Sequence, residues 1–509
     1  MHRRRFLQLS SSALLYFLNG CTVTNEDQLP FDINVRSDMK RGHMYFQKED
    51  IKEKEQLIYT DTLIIGGGIA GLSAAVALEE KDYHIVELSD RWGGTSSAEK
   101  YHQNYFAQGA HYDLSYPQKF GTEVLNFLQN QNIIYKKGEV YHFKDTEFVI
   151  PKRDLMLCKY DREYYNNILF NEEEASQFYQ LLHQFDDKIT LPSRLNDKSL
   201  QYLNDITFKE WLLEHNLKFS EIFWEGINYH MLDDYGTTID EVSAIAGISY
   251  YCNRPHEDEW ADVFSPPQGN AYFVDKLEEK LPDHKKHLNH LCQNINYVPS
   301  EENFLIEMID FDSQKKQRFK AKNIIYAAPK HTLKYTFREA LQSTSNTMET
   351  SGWVVVNFVF KKDVDFFGGL WQNENLEQFD GEFLGFVDNI TQKKQEQRVL
   401  TAYYCFAHQQ KEKLISIQKT PNLLVRYTLE KIATFLDLKT TDITPKIEQS
   451  FIHLMGHAMP KIGVGYLGND LNINRKFKNF VFAGVDNGRL PFLIEAIDSG
   501  IMAVSELKL

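Results

Sequence analysis

Ile58 to Ile65 is an apolar run with β-branched residues that reads as a buried parallel strand. It leads directly into Gly66-Gly67-Gly68-Ile69-Ala70-Gly71 and the helical stretch Leu72 to Glu80. No other feature of the 509 residues restricts the fold so tightly. In this strand–turn–helix setting Gly66 allows the tight turn, Gly68 lets the backbone approach a pyrophosphate, and Gly71 lets helix and strand pack closely. Ile69 and Ala70 then open a helix whose N-terminus faces the anion. A second strand, Tyr83 to Leu88, carries Glu87, 16 residues past Gly71, where an acid can accept both ribose hydroxyls. An acid there favours an unphosphorylated adenosine ribose, so the expected nucleotide is FAD or NAD rather than NADP.

The stretch after Glu87, Ser89-Asp90-Arg91-Trp92-Gly93-Gly94-Thr95-Ser96, resembles the arginine–glycine–glycine segment of flavin amine oxidases, phytoene desaturases and protoporphyrinogen oxidases. The resemblance implies FAD. Arg91 would supply charge to a phosphate, and Gly93, Gly94 and Thr95 would lie along the diphosphate and ring system. Four further segments follow in the family's order. Phe106-Ala107-Gln108-Gly109-Ala110-His111-Tyr112 resembles the glycine–aromatic segment over the flavin, and Pro267-Gln268-Gly269-Asn270 resembles the entry to the next helix. Leu288 to Val298 resembles the strand whose Cys292 position holds the adenine by backbone groups, and Ala321 to Pro329 the strand that closes the nucleotide-binding half. Phe480 to Asp486, then Leu493 to Gly500, resembles the C-terminal strand and helix that finish the FAD site. The family places an acid directly after the glycine that corresponds to Gly484; here Val485 intervenes, and Asp486 is expected to meet the ribityl-phosphate part of FAD. Glu495 begins or lies inside the last helix, whose N-terminal dipole would stabilise negative charge on the reduced flavin, while its own side chain is expected to be structural.

The resemblance implies an α/β fold: a Rossmann-like FAD domain interleaved with an α+β substrate domain. FAD-binding blocks are expected at 57–115, 262–335 and 450–509, and substrate-domain blocks at 116–261, an aromatic-rich helical cap, and 336–449. Residues 22–56 are polar and weakly periodic and read as a linker. Residues 1–21 read as an export signal: Arg3-Arg4-x-Phe6-Leu7 resembles a twin-arginine motif, and Leu18-Asn19-Gly20-Cys21 a lipoprotein box with Cys21 acylated. The apolar run from Leu9 to Leu18 is too short to span a bilayer. The expected location is therefore the periplasmic side, with membrane attachment through Cys21.

The family's amine oxidases carry a lysine near the flavin, within a strand ending in an aromatic–lysine pair. Phe360-Lys361 resembles that pair and leaves Val355 or its neighbour at the lysine position. His457 and His111 are the candidate acids or bases. No Ser-His-Asp spacing or paired metal ligands are visible, so no metal is expected and the flavin must be the main catalyst. Formal charge is −15, and removing Arg3, Arg4 and Arg5 with a leader takes it to −18, which disfavours nucleic acid and suits a cationic substrate. Cys158, Cys252, Cys292 and Cys405 form no CxxC pair. The expected reaction is hydride transfer from an amine C–N bond, polyamine-like, with oxygen or a quinone as acceptor. The alternatives are desaturation of a C–C bond in an apolar substrate, and a non-catalytic protein that binds FAD structurally.

Overall fold

The computed structural model describes residues 28–46, 53–109, 117–151, 156–254, 263–340, 349–362, 364, 371–377, 379–389, 396–408, 410–468, 477 and 479–508. The expected export signal and Cys21 lie outside them. The described chain starts with strand β1 (Asp32–Arg36), then β2 (Glu53–Ile65), helix α1 (Ile69–Ala77) and β3 (Tyr83–Val86). The hairpin β4 (Ala98–Tyr101) and β5 (Asn104–Ala107) follows, then β6 (Met156–Tyr160), β7 (Glu163–Tyr165), and helices α2 (Glu221–Tyr235) and α3 (Ala244–Cys252). Next come β8 (Lys286–His287), β9 (His290–Val298), β10 (Asn303–Asp310) and β11 (Lys315–Tyr326). The rest comprises β12 (Thr350–Phe360), β13 (Gln372–Glu374), β14 (Phe383–Asp388), β15 (Val399–Phe406), helix α4 (Pro421–Phe435), β16 (Ile447–Pro460), β17 (Phe480–Phe482) and helix α5 (Leu493–Glu506).

These strands sort into two large sheets that the chain visits in turn. The cofactor sheet runs β8-β3-β2-β11-β10-β9, with β17 also paired to β11. Its centre is parallel, Leu63 of β2 facing His84 on one side and Ile324 on the other. Helix α1 covers one face and is buried from Ile69 to Ala75, because α5 lies across it. The two helices meet backbone to backbone: a Cβ at Gly500 would sit 2.3 Å from the Ala70 carbonyl oxygen.

The substrate sheet runs β1-β16-β12-β15-β14-β13-β6-β7. Thr350 to Phe360 reads as a nearly continuous apolar run because both faces of β12 are covered. Val354, Val356, Phe358 and Phe360 pack towards α4, which buries Leu424, Val425, Thr428, Leu429, Ile432 and Ala433 at helical spacing. Val355 and Trp353 join the other core, shared with the helical cap and the cofactor domain. That second face of the sheet forms one wall of the candidate site.

The interleaved α/β architecture is the one expected, with two differences in detail. The stretch read as a linker is partly structured: β1 pairs in parallel with β16, Asp32 opposite Gln449 through Arg36 opposite His453, and β2 already begins at Glu53. A strand of alternating polar composition at a sheet edge leaves little hydrophobic signal. The expected boundary at 450 falls inside β16, which belongs wholly to the substrate sheet; the cofactor sheet resumes at Phe480. The four described cysteines are all buried and free. Gly500→Val should destabilise the fold by about 1–3 kcal/mol, as overpacking at close contacts does, visible as a lowered Tm in calorimetry.

Candidate active site

The cofactor cradle begins where β2 ends. Gly66 has φ +113°, and a Cβ on Gly71 would lie 1.9 Å from the Gly66 carbonyl oxygen, so turn and helix are pressed together. The Gly67 N–H donates to Glu87 Oε2 at 2.6 Å, and the Ser89 N–H to Glu87 Oε1 at 2.9 Å. The carboxylate is thereby fixed in place next to the turn. Burial pushes its pKa up against these backbone donors, which pull it down. The Gly93 N–H donates to the Gly67 carbonyl at 2.8 Å, and Trp92 lies against Gly67. This brings Gly94 opposite Gly68, with 3.7 Å from a Cβ on Gly94 to the Gly68 Cα and no other atom within 4 Å. Two bare backbones therefore face each other at the N-terminus of α1.

The remaining sequence-predicted cofactor residues fall into three groups. Arg91 flanks the cradle and donates to the Ala98 carbonyl at 2.8 Å and to Glu99 at 3.0 Å; Thr95 is exposed beside Gly94. Gly109 is packed on that turn, since a Cβ there would be 1.9 Å from the Thr95 carbonyl oxygen; Ala110 and His111 lie outside the described residues. At the C-terminal end Gly484, φ +125°, donates its N–H to Ser499 Oγ at 2.8 Å, and Asp486 accepts from the Lys330 N–H at 2.6 Å. Burial raises the Asp486 pKa.

The remaining three are Cys292, Glu495 and His457. Cys292 sits in β9 with its side chain in the core behind the sheet; the backbone groups that meet Glu87 belong to His287 and His290. Register explains this, because the chain passes the end of β3 before β9 starts on the opposite edge. The Glu495 carboxylate is fully buried and taken up by the Ser193 N–H at 2.5 Å and Arg489 at 3.4 Å, so only its helix terminus remains for a flavin. His457 is exposed on β16, bonded to Thr350 Oγ1 at 2.8 Å, with its ring tilted against that of His331 at 4.0 Å between centroids.

The histidine that reaches the site is His453, four residues earlier on the same strand. Its Nδ1 lies 2.5 Å from the Gln108 carbonyl oxygen, which can only accept, so Nδ1 carries the proton and Nε2 is an acceptor. Burial holds its pKa down at about 4, so the ring is neutral at physiological pH. In the sheet register His453 and Tyr403 flank Val355 on either side. On the next strand of the same face comes Val387, and on the one after it Gln372 and Glu374. Helix α2 packs over this face through the Tyr229 hydroxyl, which donates to the Leu384 carbonyl. Burial raises the pKa of both Tyr403 and Cys405, and Asp233 is close enough to add to that rise. Asp234 pairs with Arg254 at 2.6 Å, and Arg254 lies 3.9 Å over the Tyr250 ring and 5.7 Å over Phe492, the cap residue of α5. Glu374 is 1% exposed; its Oε1 accepts from Gln372 at 2.9 Å, and Oε2 has no hydrogen-bond partner among the described residues. Burial, with Asp234's charge added, pushes its pKa up to about 8.

No signal in the sequence singles out His453, Glu374 or Asp233. They become neighbours only through strand register and helix packing. Among the described residues, no group of three His, Cys, Asp or Glu side chains could hold a metal. The cradle fits FAD: bare glycine backbones at a helix N-terminus, a fixed carboxylate for a ribose, and a buried Gln108 Oε1 that has no partner among the described residues beside the Gly109 turn.

A family model described as flavin containing amine oxidoreductase matches residues 69–484. Flavin-containing amine oxidase A of Equus caballus is 35% identical over 95 residues, 16% of this chain and 18% of that protein. The match therefore spans under a fifth of the length of that curated relative. Among solved structures, wild-type putrescine oxidase bound to putrescine superposes with a TM-score of 0.61 at 13% identity, covering 89% of this chain and 100% of that one. A protein from Exiguobacterium sp. 255-15 assigned as a protoporphyrinogen oxidase gives 0.60 at 13% identity, covering 90% and 100%. At these identities the two structures share the fold.

Glu374 makes stability depend on pH in a definite direction. Its folded pKa of about 8 lies above the ordinary 4.5, so between those values the folded protein holds a proton that the unfolded chain releases. Its contribution is fully present below pH 4.5 and is lost as pH rises through 8. Glu374→Gln, which mimics the protonated acid, should flatten the fall of Tm across that window.

Proposed function

The chain belongs to the flavin containing amine oxidoreductase family, whose cofactor is FAD, and from that premise we propose that it oxidises a C–N bond of a polyamine-like substrate. The observation that carries the reading is the acidic, aromatic cap on the face of the sheet that carries Val355: Asp233, Asp234 and Glu374 with Arg254 among them, and Tyr403, Tyr250 and Phe492 around them. Such a wall attracts an ammonium group, and the aromatic faces add cation–π attraction. Bound FAD supplies the acceptor for the hydride and its two electrons.

The chain's own residues do the rest. Val355, between Tyr403 and neutral His453, makes the floor apolar, which lowers the pKa of an amine placed there and favours its neutral, oxidisable form. Three strand spacings, roughly 14 Å at about 4.8 Å each, separate β12 from β13. Once side chains reach inward, that span suits two nitrogens several methylenes apart, with Glu374 receiving the distal ammonium. Binding there would draw the proton off Glu374, so a diamine should bind more tightly as pH approaches 8. The imine product would hydrolyse in water, and oxygen or a quinone would reoxidise the flavin.

A second reading, desaturation of a C–C bond in an apolar substrate, is favoured by the resemblance, which leaves Val355 or its neighbour where the family's amine oxidases carry a lysine. Anaerobic mixing with polyamines, monoamines and isoprenoid donors separates the two readings. Polyamines should bleach the flavin absorbance, and Glu374→Gln should raise the concentration of diamine needed by about tenfold while leaving monoamines unaffected, as loss of one charged contact does. Bleaching only by isoprenoids would favour desaturation, and bleaching by no donor would favour a structural role for FAD.

We also propose that residues 1–21 export the folded protein and that Cys21 is acylated, on the strength of Arg3-Arg4-x-Phe6-Leu7 and the Leu18–Cys21 box. Changing Arg3 and Arg4 together to Lys should leave the protein in the cytoplasmic fraction. Cys21→Ser should free it from membranes.

A further inference from the structure

Strand β1 brings an arginine to the nucleotide cradle from a part of the chain that precedes the βαβ unit. Arg36 Nη2 donates to Ser89 Oγ at 2.8 Å and lies 3.4 Å from Asp90. Ser89 is also the residue whose N–H holds Glu87, and Glu87 in turn holds Gly67, so Arg36 is the outer member of a chain of contacts that ends on the glycine turn. Its Nη1 is buried with no hydrogen-bond partner among the described residues. A buried guanidinium nitrogen without an acceptor is costly, and a planar fork with one arm free is suited to an anionic oxygen.

Position says which anion, since this chain of contacts ends at the glycine turn. Burial, and then the charge of Arg91, lower the Arg36 pKa, while Asp90 bonds to both arginines and Glu99 takes up Arg91 as well. The two cations and two acids balance, and what is left over is the Nη1 donor of Arg36. The segment around Arg36 is held in place independently of any ligand. Arg36 pairs with His453 in the β1–β16 register, Arg41 donates to Asn289 at 2.9 Å, and Gly42 packs near Leu88.

We propose that Arg36 is a cofactor-binding residue that neutralises the FAD diphosphate, so that the segment from Asp32 to Gly42 fastens the adenosine end of the cofactor to the substrate sheet. The inference rests on the FAD site described above. It assigns to the N-terminal segment a direct share of cofactor affinity, where a strut holding Ser89 would contribute none.

Titrating FAD into apo-protein, followed by flavin fluorescence, tests this beside the apo-protein Tm. Arg36→Ala should raise the FAD Kd by about 10- to 100-fold, the scale of one charge-assisted hydrogen bond, and weaken the dependence of Kd on salt. Ser89→Ala removes the Arg36–Ser89 bond but keeps the guanidinium, and should leave Kd within about twofold of wild type on the same scale. Equal losses of affinity in both variants, or an Arg36→Ala Kd equal to wild type, would overturn the proposal. Failure of the wild-type protein to bind FAD would instead overturn the cofactor assignment itself.

Discussion

At the end of β2 the backbone makes approaches that admit no side chain, and the rest of the cofactor domain is arranged around them. Gly66 presses on the turn after β11, Gly71 on Gly66, and Gly500 of α5 on Ala70 of α1. These contacts set the position of α1 and hence of its N-terminal N–H groups. They also set the depth at which Glu87 and the Gly93–Gly94 turn meet the same spot. The sheet and its two helices are the means of holding that geometry rigid.

The substrate half depends on the cradle through few but specific bonds. Asn357 of β12 donates to the Ala107 carbonyl at 3.0 Å and to Thr401 at 2.9 Å, and His453 of β16 holds the Gln108 carbonyl. The glycine–aromatic segment is thus fastened to the sheet that carries Val355 and Tyr403. A shift of that sheet would move the floor of the site relative to the cradle, so alignment of donor and acceptor is a property of both domains together.

Polar groups at the site are managed by burial as much as by pairing. His453 is kept neutral and Glu374 is kept protonated near neutrality by the same cause, removal from water. Either group can change state when a charged partner replaces the missing solvent. That makes the occupied site electrically different from the empty one without any movement of the fold.

What could be read from the sequence alone was whatever is encoded locally. The glycine spacing of 66–71, the acid at 87 and the turn at 93–94 carry their meaning in consecutive residues, because a tight turn and a helix start are decided within a few bonds. The order of the segments from Leu57 onward likewise sufficed for the interleaved fold. His453, Glu374, Asp233 and Arg36 were not legible in that way. Each becomes a neighbour of the site by strand register or helix packing between residues far apart in the chain, and a one-residue slip in β16 would turn His453 away. His457 drew attention because its sequence setting is distinctive, yet its strand position leaves it exposed. Local chemistry is written in the chain, whereas the company a side chain keeps is decided only when the sheets close.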